Sequence, residues 1–205
     1  GRYIYIGTQE GVALYDKRDG TFTLLEQFKE VKITSICGNS KHIYFGTLGK
    51  GVYVYTKKSG SIKILHKYFV SSISSLYCDE QTLLIGTYSS RLYQYSDSNL
   101  KRLGGINAPY KPVTGIAKYR GKYYFTTHGQ GICSYNPENN TFKRYSFTNN
   151  YFLCLAASES ALFAGSFGSG IFQYNSQSDT WTSFELSDLY LSRDIQNIYI
   201  SGNTM

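Results

Sequence analysis

Apolar and polar positions alternate in short runs along this chain, and one run returns at a fixed interval. The phrase Tyr3-Ile-Tyr-Ile-Gly-Thr8 recurs as Ile43-Tyr-Phe-Gly-Thr47, Leu83-Leu-Ile-Gly-Thr87, Tyr123-Tyr-Phe-Thr-Thr127 and Leu162-Phe-Ala-Gly-Ser166. The glycine position falls at 7, 46, 86, 126 (here a threonine) and 165, so the intervals are 39, 40, 40 and 39 residues. A repeat of this length predicts an array of equivalent supersecondary units that bury their apolar faces against one another.

Each repeat contains four short strand patterns separated by turn residues. In the second repeat the predicted strands are 32–37, 42–47, 51–56 and 61–65, and the gaps between them consist of Gly, Asn, Ser and Lys with the single apolar residue Leu48. The gaps are too short for crossover helices, so all strand pairs should be antiparallel. The sequence therefore predicts an all-β fold, a β-propeller of four-stranded antiparallel blades with five repeats visible.

The chain begins and ends inside a repeat. Residues 2–7 match the second strand of a blade, whereas the pattern of a first strand appears last at 195–198. We expect residues 1–205 to form one propeller domain, and the segment 194–200 could complete the blade that begins at residue 2. The alternative is that the chain is a fragment of a larger propeller.

Composition narrows the classes of partner. The net charge is +7, but Lys and Arg are scattered, so we expect no nucleic-acid partner. No apolar run is long enough to span a membrane, so we expect no membrane contact by this segment. The four cysteines, Cys37, Cys78, Cys133 and Cys154, have no metal-ligand spacing, and buried free thiols are favoured over disulfides.

A ligand site is predicted on one set of loops. In a propeller, the loops from strand 2 to 3 and from strand 4 to the next strand 1 emerge together, and here they combine aromatic rings with polar or cationic groups. Such groups suit a carbohydrate or another small ligand, and Lys or Arg would suit an acidic one. The alternative for each aromatic residue is that it merely covers the core. The candidates are Tyr68, Phe69, Arg91, Tyr110, Lys111, His128, Gln130, Tyr151, Tyr190 and Arg193.

His128 stands out because its repeat has Thr126 in place of glycine. A catalytic or pH-sensing role is one interpretation, and a polar residue at the rim is the favoured one. The sequence contains no nucleophile motif, no paired carboxylates, no phosphate-binding glycine loop and no HExxH motif. We therefore predict no catalytic residues, no cofactor and no metal, so the chain itself should not be an enzyme.

The stretch Ile4-Tyr-Ile-Gly-Thr-Gln-Glu-Gly-Val-Ala-Leu-Tyr-Asp16, followed by Gly20-Thr-Phe22, resembles the regulator-propeller repeat of bacterial hybrid two-component sensors. Thr126-Thr127 and Gly165-Ser166 depart from that pattern. The resemblance implies a periplasmic sensor domain that binds a ligand, often a glycan fragment. It also implies a parent protein with a membrane helix and a cytoplasmic histidine kinase, and a second propeller or dimer partner.

Two other functions remain open at this stage. The first is a non-catalytic propeller scaffold for protein–protein interaction. The second is a sugar-modifying enzyme, which is disfavoured because no acid/base pair can be assigned.

Overall fold

A computed structural model describes residues 2–66, 71–184 and 193–201, and almost all of its regular structure is antiparallel sheet. The first sheet has three strands and the next four sheets have four strands each. Each sheet is a simple meander in which sequential strands are neighbours. The predicted all-β class is confirmed, and the only helical element in the described ranges is a 3₁₀ turn at Glu26–Phe28.

The strand bounds follow the repeat. The first two sheets contain β1 (Tyr3–Gly7), β2 (Val12–Asp16) and β3 (Phe22–Leu24), then β4 (Ile33–Gly38), β5 (His42–Thr47), β6 (Val52–Thr56) and β7 (Ile62–Ile64). The third contains β8 (Ile73–Cys78), β9 (Leu83–Thr87), β10 (Leu92–Ser96) and β11 (Asn99–Leu103). The last two contain β12 (Val113–Tyr119), β13 (Lys122–Thr127), β14 (Ile132–Asn136) and β15 (Thr141–Tyr145), then β16 (Phe152–Ala157), β17 (Leu162–Ser166), β18 (Ile171–Asn175) and β19 (Thr180–Phe184).

The chain divides into two compact units. The first comprises Gly1–Ser89 with Gln94–Lys101, and the second comprises Ser90–Tyr93 with Arg102–Met205. In the first unit the core is built around Phe28 and Phe45, whose ring centroids are 4.7 Å apart. In the second unit it is built around Tyr124, Phe152 and neighbouring apolar side chains.

The second strand of each of the last four sheets is buried along nearly its whole length, as in β9 and β17. A strand covered on both sides needs a continuous apolar run, which is the repeated phrase. The phrase ends in Thr or Ser because this hydroxyl closes the following turn. Thr47, Thr127 and Ser166 each donate their hydroxyl to the carbonyl of the residue four positions later, at 2.7, 2.8 and 2.9 Å.

The glycine of the phrase is required by the packing of one sheet on the next. A Cβ atom at Gly7 would lie 2.5 Å from Cγ2 of Ile33, and one at Gly46 would lie 2.6 Å from Cγ2 of Ile73. In both cases the obstructing group is the branched methyl of the isoleucine that opens the following sheet. Glycine is therefore the residue that lets consecutive sheets approach.

Residue 126 is the exception, and its neighbours explain why. The following sheet opens with Phe152, whose side chain has no methyl branch at Cβ. Across the strand pair, Thr126 lies opposite Gly115, whereas Gly46 lies opposite Ser35 and Gly165 opposite Cys154. A Cβ at Gly115 would be 2.7 Å from Oγ1 of Thr126. In this repeat the small residue of the pair is therefore Gly115 on β12, whereas in the other repeats it is the glycine on the second strand.

The last described segment continues this packing. A Cβ at Gly165 would be 2.6 Å from Cγ2 of Ile195, so Ile195 takes the place of a first-strand isoleucine. Its amide donates to the Ser166 carbonyl at 2.9 Å. Residues 194–200 are not assigned to a strand, and their completion of the first sheet stays a prediction. In the described part of the chain, no helix is long and apolar enough to cross a membrane.

Candidate functional site

The predicted loop residues that the structure describes all belong to the second unit: Arg91, Tyr110, Lys111, His128, Gln130, Tyr151 and Arg193. Tyr68, Phe69 and Tyr190 lie outside the described residues. The seven form two local groups and two separate positions. Lys111 and Arg193 are both exposed, and neither lines the depression described below.

The first group consists of Gln130, Tyr110 and Arg91, and in it Gln130 stabilises the loop that carries Tyr110. It is only 4% exposed, and its amide donates to Oγ1 of Thr127 at 3.1 Å in the tight turn after β13. Its side-chain oxygen accepts a hydrogen bond from the Tyr110 amide at 2.7 Å, and its side-chain nitrogen donates to the Ala108 carbonyl at 3.3 Å. Gln130 thus holds the loop that presents Tyr110, and its own side chain is not offered to a ligand.

Replacing Gln130 by alanine should loosen this loop. The Tyr110 amide and the Ala108 carbonyl would lose their partner, so we expect a loss of about 1 to 2 kcal/mol in unfolding free energy. Hydrogen exchange at the Tyr110 amide should become faster. Gln130→Glu is the matched variant because a carboxylate still accepts from that amide. Unchanged exchange in Gln130→Ala would show that the amide is held in another way.

Tyr110 lies at the edge of a depression of about 260 Å³, which we call the arginine depression. Its ring is 57% exposed, and the Arg144 guanidinium lies 4.9 Å from the ring centroid. This geometry is a cation–π contact, which fixes the ring and the guanidinium relative to each other. The residues that define the depression are Arg91, Arg102, Gly104, Asn107, Tyr110 and Arg144.

The thiol beside Arg144 carries no charge at neutral pH. Burial raises the pKa of Cys133 to about 11, although the nearby Arg144 guanidinium acts to lower it. Cys133 and Arg144 are directly opposite each other on β14 and β15. A neutral thiol does not compensate the charge of Arg144.

His128 and Tyr151 form the second group. Their rings meet edge to face with centroids 5.0 Å apart, and an isolated β-bridge joins the two residues. Gly129, at φ +106°, passes beneath Tyr151, where a Cβ would lie 3.5 Å from the ring. Tyr151 is 47% exposed, so the pair presents an aromatic surface to solvent. Stacking on a flat ligand is the chemistry that such a surface supports.

Arg102 and Arg144 line the depression but were not predicted from the sequence. Both lie on fourth strands, β11 and β15, in runs that also contain Lys101 and Lys143. A short polar strand at a sheet edge is typically a solvated surface. No local pattern distinguishes the arginines that reach the depression from the lysines that do not.

A larger cavity, of about 760 Å³, lies in the first unit on the side where the sequence predicted only turns. Lys41, Lys63, Asp79, Glu80 and Asp97 are among the residues that line it. Here Leu65 pairs with Val52 at the position that Tyr145 occupies beside Ile132 in the second unit. The smaller side chain leaves the space open, and charges of both signs around it favour no particular ligand class. Among the described residues, no group of three or more His, Cys, Asp or Glu side chains could hold a metal ion.

Comparison with known proteins identifies the fold. No protein-family model matches the chain, and no curated protein matches it. Two solved structures of the extracellular domain of BT4673 from B. thetaiotaomicron are similar over nearly the whole chain. One is described as a one-component system, with a TM-score of 0.81, 20% identity and 99% of this chain covered. The other is described as a hybrid two-component system, with a TM-score of 0.77, 21% identity and 97% covered.

The computationally designed Ika8 protein is also similar, with a TM-score of 0.70 and 12% identity over 85% of the chain. The chain spans 55% of the Ika8 chain and only 29% and 28% of the two BT4673 chains. At these identities the likeness concerns the fold. The resemblance predicted from the repeat phrase is thereby confirmed in structure: the chain shares the β-propeller fold of the extracellular domain of BT4673.

Proposed function

We propose that this chain is a ligand-sensing propeller module of a two-component signalling receptor and that its loops bind a glycan fragment or another small ligand. One observation carries the proposal: the chain shares its fold, over at least 97% of its length, with the extracellular domain of a protein described as a hybrid two-component system. A periplasmic location, a histidine kinase parent and a second propeller or dimer partner belong to the same proposal. It assigns no catalytic step to these residues.

The two local groups on the loops supply the binding chemistry. Tyr110 and Tyr151 are both about half exposed and both held in place, by Arg144 in one case and by His128 in the other. Fixed rings beside donors bind sugars well, because the ring covers the apolar face of the pyranose while donors meet its hydroxyls. Little conformational entropy is lost on binding when these groups are already ordered.

Sensing needs a ligand that prefers one arrangement of the receptor. A ligand that binds two receptor states equally well does not shift the equilibrium between them, whatever its affinity. The Tyr110 loop is one movable part, since Gln130 holds it through two hydrogen bonds to its backbone. Ligand binding at Tyr110 would therefore couple to the conformation of this loop.

A panel of oligosaccharides screened by thermal unfolding tests the proposal. A specific ligand at about 100 times its Kd should stabilise the protein by about 2.7 kcal/mol. Tyr110→Ala and Tyr151→Ala should abolish the shift, while Tyr199→Ala, which removes a ring that is 80% exposed elsewhere, should leave it unchanged.

The second candidate function is a non-catalytic scaffold for protein–protein interaction. The first sheet favours it, because Ile4, Phe22 and Leu24 expose large apolar side chains on β1 and β3. If no glycan stabilises the protein and a purified partner protein binds this sheet, the scaffold replaces the sensor. Loss of that binding in Phe22→Ser would identify the surface.

A further inference from the structure

The arginine depression concentrates positive charge. Arg91 comes from the turn after β9, Arg102 from β11 and Arg144 from β15, so three separate elements contribute an arginine to the lining of one depression. None of the described residues that line it is acidic. This arrangement carries an electrostatic cost, because like charges repel. It becomes favourable when an anion is present.

The immediate surroundings of Arg144 leave its charge uncompensated. The Tyr110 ring covers one side of the guanidinium, and the thiol of Cys133 beside it is neutral. The Nε atom of Arg144 is buried and has no hydrogen-bond partner within the part of the chain that the structure describes. A buried donor without a partner is uncommon, although the guanidinium also hydrogen-bonds to the neutral Cys133 thiol.

The size and floor of the depression limit the ligand. Its volume of about 260 Å³ is below the usual range of about 300 to 1,000 Å³ for drug-sized ligands. A Cβ at Gly104 or Gly105 would meet no other atom within 4 Å, so the backbone there is open to a ligand. The exposed Tyr110 ring offers a flat apolar surface beside the charge. Together these features suit one sugar ring with an anionic substituent.

We infer that the arginine depression binds the carboxylate or sulfate group of an acidic sugar unit, with the ring of that unit against Tyr110. This inference rests on the proposed function, because it specifies the ligand class of the same loops. Guanidinium groups form paired hydrogen bonds with both carboxylate and sulfate oxygens, so the two kinds of acidic sugar share one recognition chemistry.

Calorimetric titration with four probes tests the inference. Digalacturonate supplies the carboxylate, a 6-O-sulfated galactose disaccharide supplies the sulfate, neutral digalactose is the uncharged control and inorganic sulfate is the ion without a sugar. We expect the charged sugars to bind, with the stronger of the two identifying the anionic group. The affinity should fall with added salt, because exposed charges are screened within about 10 Å at 0.1 M.

Arg102→Gln and Lys101→Gln form a matched pair of variants. Both side chains are exposed on β11, but adjacent strand residues point to opposite faces, and only Arg102 lines the depression. Arg102→Gln should lower the affinity for the acidic sugar by about tenfold or more, which is the loss expected for one charge-assisted contact. Lys101→Gln should change the affinity by less than about twofold, because a remote surface charge contributes little to binding.

The outcomes separate this inference from the proposed function. If neutral digalactose binds as well as the acidic sugars, or if the two variants weaken binding equally, the inference is wrong while glycan sensing stands. If inorganic sulfate binds but no sugar does, the depression is an anion site and the inference is wrong, whereas glycan sensing is decided by the oligosaccharide panel. If none of the probes binds at millimolar concentration, the assignment of an acidic sugar to this depression is wrong.

Discussion

Replacing Gly115 by serine is expected to lower the unfolding free energy by about 2 kcal/mol, and adding Thr126→Gly should recover most of that loss. The serine Cβ would lie 2.7 Å from Oγ1 of Thr126, well inside contact distance. Thr126 is completely buried, and its hydroxyl accepts a hydrogen bond from Thr114 at 3.1 Å. Rotating the hydroxyl away therefore sacrifices that bond.

The second sheet shows why the double variant should be stable. There the pair is Ser35 opposite Gly46, which is the arrangement that the double variant would create. Ser35 Oγ accepts a hydrogen bond from the Leu76 amide at 3.0 Å. A serine at 115 would have the Leu155 amide in the equivalent place, since that nitrogen lies 3.0 Å from the built Cβ.

A double-mutant cycle measures this directly. Thr126→Gly alone should cost about 2 kcal/mol, through a small cavity and a more flexible strand, and the coupling between the two changes should be at least about 2 kcal/mol. Gly104→Ser is the control, because a Cβ there meets nothing within 4 Å. Additive losses in urea unfolding would show that the two positions do not compensate each other.

This pair also shows what the sequence could and could not predict. The repeat phrase was enough to predict four-stranded antiparallel sheets, and the second sheet has its strands within a residue or so of the predicted positions. It also singled out the repeat that contains Thr126. The compensating residues, Gly115 and Phe152, lie 11 positions before and 26 positions after Thr126, and only the strand pairing brings them together. The break in the repeat thus has a packing cause and is not by itself evidence for a special role of His128.

The candidate site, too, could be predicted from the sequence only in part. Aromatic rings in the loops were predicted from composition and loop position, and Tyr110 and Tyr151 are indeed exposed there. Buried Gln130 was chosen as a ligand contact, although its hydrogen bonds make it a support. Arg102 and Arg144 could not be chosen, because they are 42 positions apart and only the fold brings both to one depression. Local sequence therefore indicates which loops are unusual, whereas the charge at the depression emerges from long-range packing.

Asp179→Asn is expected to destabilise the protein by about 2 kcal/mol at neutral pH, since three hydrogen bonds to a carboxylate are weakened and this side chain is partly exposed. Asp179 accepts from Tyr145 at 2.5 Å, from Tyr174 at 2.6 Å and from Lys143 at 2.6 Å. Both tyrosines belong to the buried core of the second unit. Asparagine tolerates the φ of +52° at this turn position, so backbone strain does not confuse the result.

The pH dependence identifies the charge as the cause. Burial acts to raise the pKa of Asp179, but the hydrogen bonds from Lys143, Tyr145 and Tyr174 outweigh it and lower the pKa to about 2. A lowered pKa means that the carboxylate stabilises the fold above its unfolded value of about 3.9 and that this contribution is lost as the pH falls to about 2. The stability difference between the natural protein and Asp179→Asn should therefore shrink across that interval.

Asp97→Asn is the matched control for this measurement. Asp97 occupies the corresponding turn of the third sheet, also with a positive φ, of +49°, and its side chain is exposed. Its replacement should change the unfolding free energy by less than about 0.5 kcal/mol, as is usual for a surface substitution. Equal losses in the two variants would mean that the turn conformation matters and the tyrosine contacts do not. A loss in Asp179→Asn that stays constant from neutral pH to about pH 2 would exclude the carboxylate charge as its source, because that charge is neutralised over the same interval.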